Sequence, residues 1–275
     1  KISLNGDSRE VREGLTLETR RELHAAVAEA HEILYPNRLD ELAERLAFHH
    51  REAGERGRAV DYMVRAADRL CVEQALGGAV AALERAIDLL SQMAMPDRDR
   101  MIELYARIGD LGFRSRDLEG CAMRLGAAVE LCESLGRPVD VARMSMLRGR
   151  LLVNLPGSSE EGRRWLDQAR ALASQLGDKR LLRDAVLATA EADMRTGEHK
   201  RAVTHLTEAL AYSRELHDVE SQIRCLVPLA LATSSDGRHA EAIEALTEAR
   251  QLQKTVGDDR FTECEMLKIE SLAHF

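Results

Sequence analysis

The chain has 275 residues, 45% of them apolar and 31% charged, a composition suited to helices with one buried stripe and one wetted face. Aromatic residues, at 3%, are too scarce for a β fold, whose strands draw on Val, Ile, Tyr and Phe. The net charge of −8 comes from interspersed acids and bases with no basic stripe, so no nucleic acid is expected as a partner; no apolar run approaches the roughly 18 residues of a membrane helix, so no membrane is expected either.

In chain order, apolar periodicity and stop signals predict helices near 17–35, 38–53, 56–75, 78–93, 98–115, 118–135, 139–154, 159–176, 179–196, 199–216, 219–235, 239–256 and 259–274. Glycines at Leu135–Gly136, Leu176–Gly177 and Val256–Gly257 stand where a helix closes in a left-handed residue. Pro96, Pro138 and Pro156 fall in connections, where a missing N–H costs little. The chain opens on Lys1 and shows no signal peptide, as expected of an excised part of a longer cytosolic protein.

The helices repeat. Ala47, Gly54, Ala59, Met63 and Ala66 recur at identical spacing as Ala190, Gly197, Ala202, Leu206 and Ala209, and again as Ala230, Gly237, Ala242, Leu246 and Ala249. Leu83/Ala86, Leu125/Ala128, Leu166/Ala169, Leu206/Ala209 and Leu246/Ala249 step by 42, 41, 40 and 40 residues. Such self-similarity predicts an all-α solenoid of antiparallel helix pairs, each burying its apolar face against its neighbours. From Met63/Ala66 to Leu83/Ala86 the step is only 20, so the helix near 56–75 closes one hairpin and opens the next. Two places break the pattern. Pro228 predicts a kink or a delayed helix start. Arg150 occupies a small-residue slot beside Gly149, which predicts a one-residue shift.

From Leu39 onward these residues resemble the tetratricopeptide repeat family, whose usual unit is about 34 residues; most units here are longer. Upstream, Gly14 to His24 runs into HAAVAEAHEILYPNRLDELAERLAFHHREAG (His24 to Gly54). This segment resembles the junction between a winged-helix segment and the repeats in bacterial signal-transduction ATPases, and in relatives fused to cyclases or Ser/Thr kinases. The resemblance implies a junction over residues 1–37 and a right-handed α-solenoid of about six helix pairs plus a terminal helix over 38–275. It further implies a regulatory or sensor arm whose effector domain lies outside these residues.

Chemistry-bearing motifs are lacking. GxxxxGK[ST], GxSxG, HExxH and the kinase loops do not occur, and no cofactor, catalytic residue or metal site is expected. The cysteines number five, without CxxC, and read as reduced thiols. His24 and His31, seven apart, share a helix face but have no third ligand at metal spacing, and the adjacent His49 and His50 point apart.

What remains is the groove that the first helix of each pair lines. By repeat register its candidate ligand-binding residues are Phe48, Arg51, Asp68, Asp110, Phe113, Arg114, Asn154, Glu191, Met194 and Arg195, with Leu151 beside them. Arginines, acids and apolar groups together suit an extended peptide or a partner helix. The slots three residues before the small one (Glu44, Val64, Ala106, Leu147, Leu187, Val227) hold no lysine, unlike the domains of this family that clamp a C-terminal carboxylate. The expected function is a protein- or peptide-binding scaffold. A small-ligand sensor and a self-association module are the alternatives, the latter through Phe261, Leu267 and Leu272 of the last helix as a homo-oligomer contact.

Overall fold

The structure, a computed structural model, describes residues 16–256 together with 266, 267 and 269. Among the described residues there are twelve α-helices, one 3₁₀ turn and no strands. The chain divides into two compact units at Arg116/Asp117.

The first unit contains α1 (Leu17–Leu34), the 3₁₀ turn Pro36–Arg38, α2 (Ala43–Ala53), α3 (Arg56–Val72), α4 (Leu76–Ser91) and α5 (Arg98–Ser115). Each helix packs on the next. In particular α3 contacts both α2 and α4, the double duty expected from the short step. α2 starts at Ala43 rather than near residue 38, because Pro36 initiates a 3₁₀ turn and Leu42, at the N-cap, offers no side-chain acceptor. The core is a succession of small and large residues: Ala43, Leu46, Ala59, Ala67, Leu83 and Ala86 are fully buried. From α3 and the turn after it to α5 runs a ladder built on three arginines a heptad apart: Arg100–Asp61 at 2.6 Å, Arg107–Asp68, and Arg114–Gln74 at 3.1 Å.

The second unit contains α6 (Leu118–Ser134), α7 (Pro138–Val153), α8 (Ser159–Leu176), α9 (Lys179–Arg195), α10 (His199–Glu215), α11 (Val219–Ser235) and α12 (His239–Val256). Leu125, Leu166, Leu206 and Leu246, the large residues of the repeat, are all buried, and so are Ala128, Ala169, Ala209 and Ala249 beside them. Aspartates start several helices: Asp117, Asp178 and Asp218 each accept a backbone N–H of the first turn at 3.0 Å.

The Arg150 anomaly resolves as a one-residue shift. Gly149 is the buried residue facing α8, while Arg150 is only half-buried. Here the two backbones meet: a Cβ on Gly149 would lie 2.8 Å from the Gly162 carbonyl, and one on Gly162 would lie 2.6 Å from the Val153 nitrogen. Pro156 disfavours helix at the residue before it, and α7 stops at Val153. The same shift turns Leu151 into the core, fully buried, instead of onto a groove wall. At Pro228 the helix does not start late; α11 runs through it from Val219 to Ser235.

In five units the residue seven beyond the small slot has a positive φ: Gly54, Gly197 and Gly237 at 78–85°, but also Gln74 at 60° and Arg116 at 63°; in the shifted unit that residue is Pro156, and the positive φ falls one further on, at Gly157 (82°). The left-handed joint is thus a property of the repeat, filled by glycine in some units and not in others. The predicted helix near 259–274 lies outside the described residues except Met266, Leu267 and Ile269, of which Met266 and Ile269 are buried and Leu267 is 53% exposed.

Candidate functional site

In the first unit α2, α3 and α4 line an open groove of about 130 Å³. Its floor is Ala47, Met63 and Ala66, small and large residues of the repeat grammar, with Ala82 beside them. The Phe48 ring forms a wall, 41% exposed, with the Arg51 guanidinium over it at 5.5 Å. Glu44 and Arg85 complete the rim. Arg51 is bound by Glu52 at 2.9 Å, whereas among the described residues neither Arg85 nor Glu44 has an ion-pair partner.

The inner side of α2 explains why that wall is fixed. His50, fully buried, places Nδ1 2.7 Å from Glu55 Oε2 and Nε2 3.2 Å from Glu32 Oε1, and stacks on Tyr62 at 5.3 Å. The Tyr62 hydroxyl donates to Glu32 at 2.6 Å, and Arg58 donates to its other oxygen at 2.5 Å. Burial works against the Glu32 charge, but hydrogen bonds from Tyr62, His50 and Arg58 outweigh it and hold the carboxyl below its ordinary range. Burial and the bond to that carboxylate push the Tyr62 phenol up to about 12. One carboxylate of α1 therefore ties together α2 and α3, from which Phe48, Arg51 and Met63 reach the groove.

A smaller hollow, about 20 Å³, lies in the second unit between α7 and α9, lined by Arg150, Val153, Asn154, Ala188, Glu191, Ala192 and Arg195. Arg150 pairs with Glu191 at 3.0 Å, and the Asn154 amide donates to the Arg150 carbonyl at 2.8 Å. Arg195 is exposed at the edge.

Of the predicted site residues, the structure brings Phe48 and Arg51 together in the groove, and Asn154, Glu191 and Arg195 in the hollow. Asp68 is engaged by Arg107 and Arg114 by Gln74, in the ladder to α5. Asp110 is exposed and Phe113 partly so, while Met194 leans on the core of the second unit. Glu44 fills the slot three residues before the small one, while Arg85 and Arg150 are not among the residues that the register selects; Arg85 comes from the second helix of a pair. Among the described residues, no group of three or more His, Cys, Asp and Glu is arranged to hold a metal ion, and no helix is long and apolar enough to cross a membrane. Cys132 and Cys225 are buried, and burial pushes the Cys132 thiol up to about 11.

No protein-family model matches the chain, and no curated protein does. Solved structures do match. BtubC (BKLC) from P. vanneervenii superposes with a TM-score of 0.60 at 16% identity, over 90% of this chain and 96% of that one. The apo form of RapI gives 0.64 at 14% identity, over 84% of this chain and 65% of its own. A signal transduction ATPase with numerous domains and a tetratricopeptide repeat sensor, from Pyrococcus horikoshii, gives 0.56 at 12% identity. That match spans 96% of this chain and 48% of the ATPase, so the chain has about half its length. At such identities the likeness is one of fold, and the fold is defined by it: this chain is a tetratricopeptide-type array of antiparallel helix pairs.

Proposed function

We propose that the chain is a non-catalytic scaffold that binds a protein or peptide, the regulatory or sensor arm of a larger bacterial signalling protein in the cytoplasm. Residues 1–37 are its junction to the effector and 38–275 its array. The observation that carries this reading is the groove of the first unit. An apolar floor and a half-exposed aromatic wall suit a large apolar side chain, and Arg85, without an ion-pair partner, suits a carboxylate next to it. The preferred ligand is therefore a peptide with an apolar anchor beside Asp or Glu. Such a ligand changes the effector only through a difference in affinity between two states of the array.

Panning a random peptide library against the chain tests this. Selected peptides should carry the apolar–acidic pair, and Phe48→Ala with Arg85→Glu should weaken them at least about tenfold, the loss of one aromatic contact and one charge pair. A library that yields no binder, or binders indifferent to both changes, overturns the groove as the binding site.

A further inference from the structure

α1 is fastened to its unit by little apolar burial. Ala28 is its buried residue, while Leu23, Val27 and Leu34 stay exposed. The fastening is polar, by Glu32 at one level and by three imidazoles at another. His24 Nδ1 lies 2.9 Å from His49 Nδ1, with the two rings 5.1 Å apart. His31 stacks on the same His49 at 6.1 Å with 24° between the planes, and its own Nδ1 is held 2.7 Å from the Val27 carbonyl. His24 also meets the Phe48 ring edge-on at 5.6 Å.

The His24–His49 contact has a chemical requirement. One ring nitrogen must donate and the other accept, so the bond exists only while at least one of the two rings is neutral. The surroundings of His49 favour that state. From α1 it faces His24 and His31, and from its own helix Arg45 and His50, all cationic or able to become so. Burial first, then these four neighbours, push its ionisation below the ordinary histidine value. The nearby acids are committed elsewhere: Glu52 to Arg51, and Glu32 to His50, Tyr62 and Arg58. α3, the other helix packed on α2, turns Arg58 to Glu32 and Glu55 and Arg65 to Asp40.

We propose that the His24–His31–His49 seam is a proton-operated latch on α1, closed while the imidazoles are neutral and opened as they charge. Acidification then undocks the amino-terminal helix from α2 while the helix pairs behind it persist. The sign follows from linkage. Docked His49 takes up a proton less readily than undocked His49, so docking is strongest above the ordinary value of 6.5 and weakens as pH falls through it toward the lowered docked value. An array joined to an effector through α1 acquires a pH response by this route without a ligand.

Hydrogen exchange of the whole chain, at about pH 7.5 and about pH 5.5 and corrected for chemical exchange, tests the latch on either side of the histidine range. The α1 amides should lose protection several-fold on acidification, while those of α4 hold theirs. His49→Gln can still bond His24 but cannot charge, and should reduce the α1 difference to about twofold or less. Glu32→Gln loosens the same helix outside the seam; it should lower α1 protection at both pH values and leave their ratio as in the wild type. Wild-type protection that is equal at the two pH values overturns the latch. So does a His49→Gln chain with the full wild-type ratio, or a Glu32→Gln chain whose ratio collapses.

Discussion

His50 in the first unit and Asp193 in the second occupy the same place in the repeat, three residues beyond a buried alanine, and both are completely buried. Around each, the partners also correspond. Arg58 and Arg201 lie eight residues further on, and Tyr62 and His205 twelve. The polarity, however, is inverted. His50 is bracketed by the carboxylates of Glu55 and Glu32, whereas Asp193 receives Arg163 at 2.6 Å and His205 at 2.8 Å, with Arg201 at 3.8 Å. In each unit the helix preceding the pair sends in the opposite charge: Glu32 from α1, Arg163 from α8. In the third copy the slot holds Thr233, which returns its hydroxyl to the Leu229 carbonyl of its own helix and, among the described residues, engages no other helix. The repeat thus provides a buried polar position, and what fills it decides whether a neighbouring helix is tied in.

Breaking the Asp193 cluster is the most drastic way to test that comparison. Asp193→Ala leaves the half-buried Arg163 and His205 facing an empty place, and losing one partner of a buried ion pair costs about 3–5 kcal/mol. Urea unfolding of the two proteins at neutral pH measures it. Burial opposes the Asp193 charge, but His205 and Arg163 hold its carboxyl below the ordinary 3.8. Its contribution is therefore complete above that value and lost as pH falls through the lowered one, so the two proteins should converge in stability in acid. A loss below about 1 kcal/mol would show that the cluster behaves like a surface ion pair.

The two helix crossings of the second unit offer a sharper contrast. Gly162 stands where Ala202 stands one repeat later, and Ala202 is fully buried without displacing its neighbours. Gly162→Ala should overpack the α7–α8 contact and cost about 1–3 kcal/mol, since the added methyl meets backbone at 2.6 Å and has nowhere to go. Ala202→Gly should cost about 1 kcal/mol, by helix propensity alone. Thermal melts of both variants rank them; equal losses would mean that the shifted register at Gly149 is not a close contact.

In the first unit, Tyr62→Phe removes one hydrogen bond to the Glu32 carboxylate and keeps the ring stacked on His50. The expected loss is about 1–2 kcal/mol, within the range for a bond to a charged acceptor that retains other donors. Chemical denaturation near neutral pH reads it, well below the phenol ionisation at about 12.

These contrasts also show what could be read from the residues alone. The helices at 98–115, 159–176, 219–235 and 239–256 end where periodicity and stop signals put them, because residues such as Asp97, Gly177 and Asp218 cap locally. The start of α2 was not legible, since the Pro36 turn competes with an otherwise helical pattern and no cap marks Ala43. For the groove, register placed Phe48 and Arg51, but it missed Arg85 and put Leu151 on a wall when a one-residue shift buries it. The two buried polar clusters escaped for a different reason. Glu32 and His50 are 18 residues apart and Arg163 and Asp193 are 30 apart, so neither pair follows a period. Comparing His50 with Asp193 across copies of the repeat was the signal that could have exposed them.

The smallest expected effect concerns the left-handed joint that most copies place seven residues beyond the small slot. At the residue seven beyond the small slot, Gly54, Gly197 and Gly237 adopt positive φ at no steric cost, while Arg116 is held at 63° with a side chain. A left-handed conformation costs a residue with a Cβ roughly 1–2 kcal/mol, and glycine gives part of that back through the larger entropy of its unfolded chain. Arg116→Gly should therefore stabilise the protein by about 0.5–1 kcal/mol, visible as a small rise in melting temperature. Gln74, at 60°, is the contrasting case: its amide oxygen accepts from Arg114 at 3.1 Å, so Gln74→Gly relieves the backbone but loses a bond and should be close to neutral. A destabilised Arg116→Gly protein would mean that this joint is held by its side chain and not by the repeat, and the equivalence of the joints would fail there.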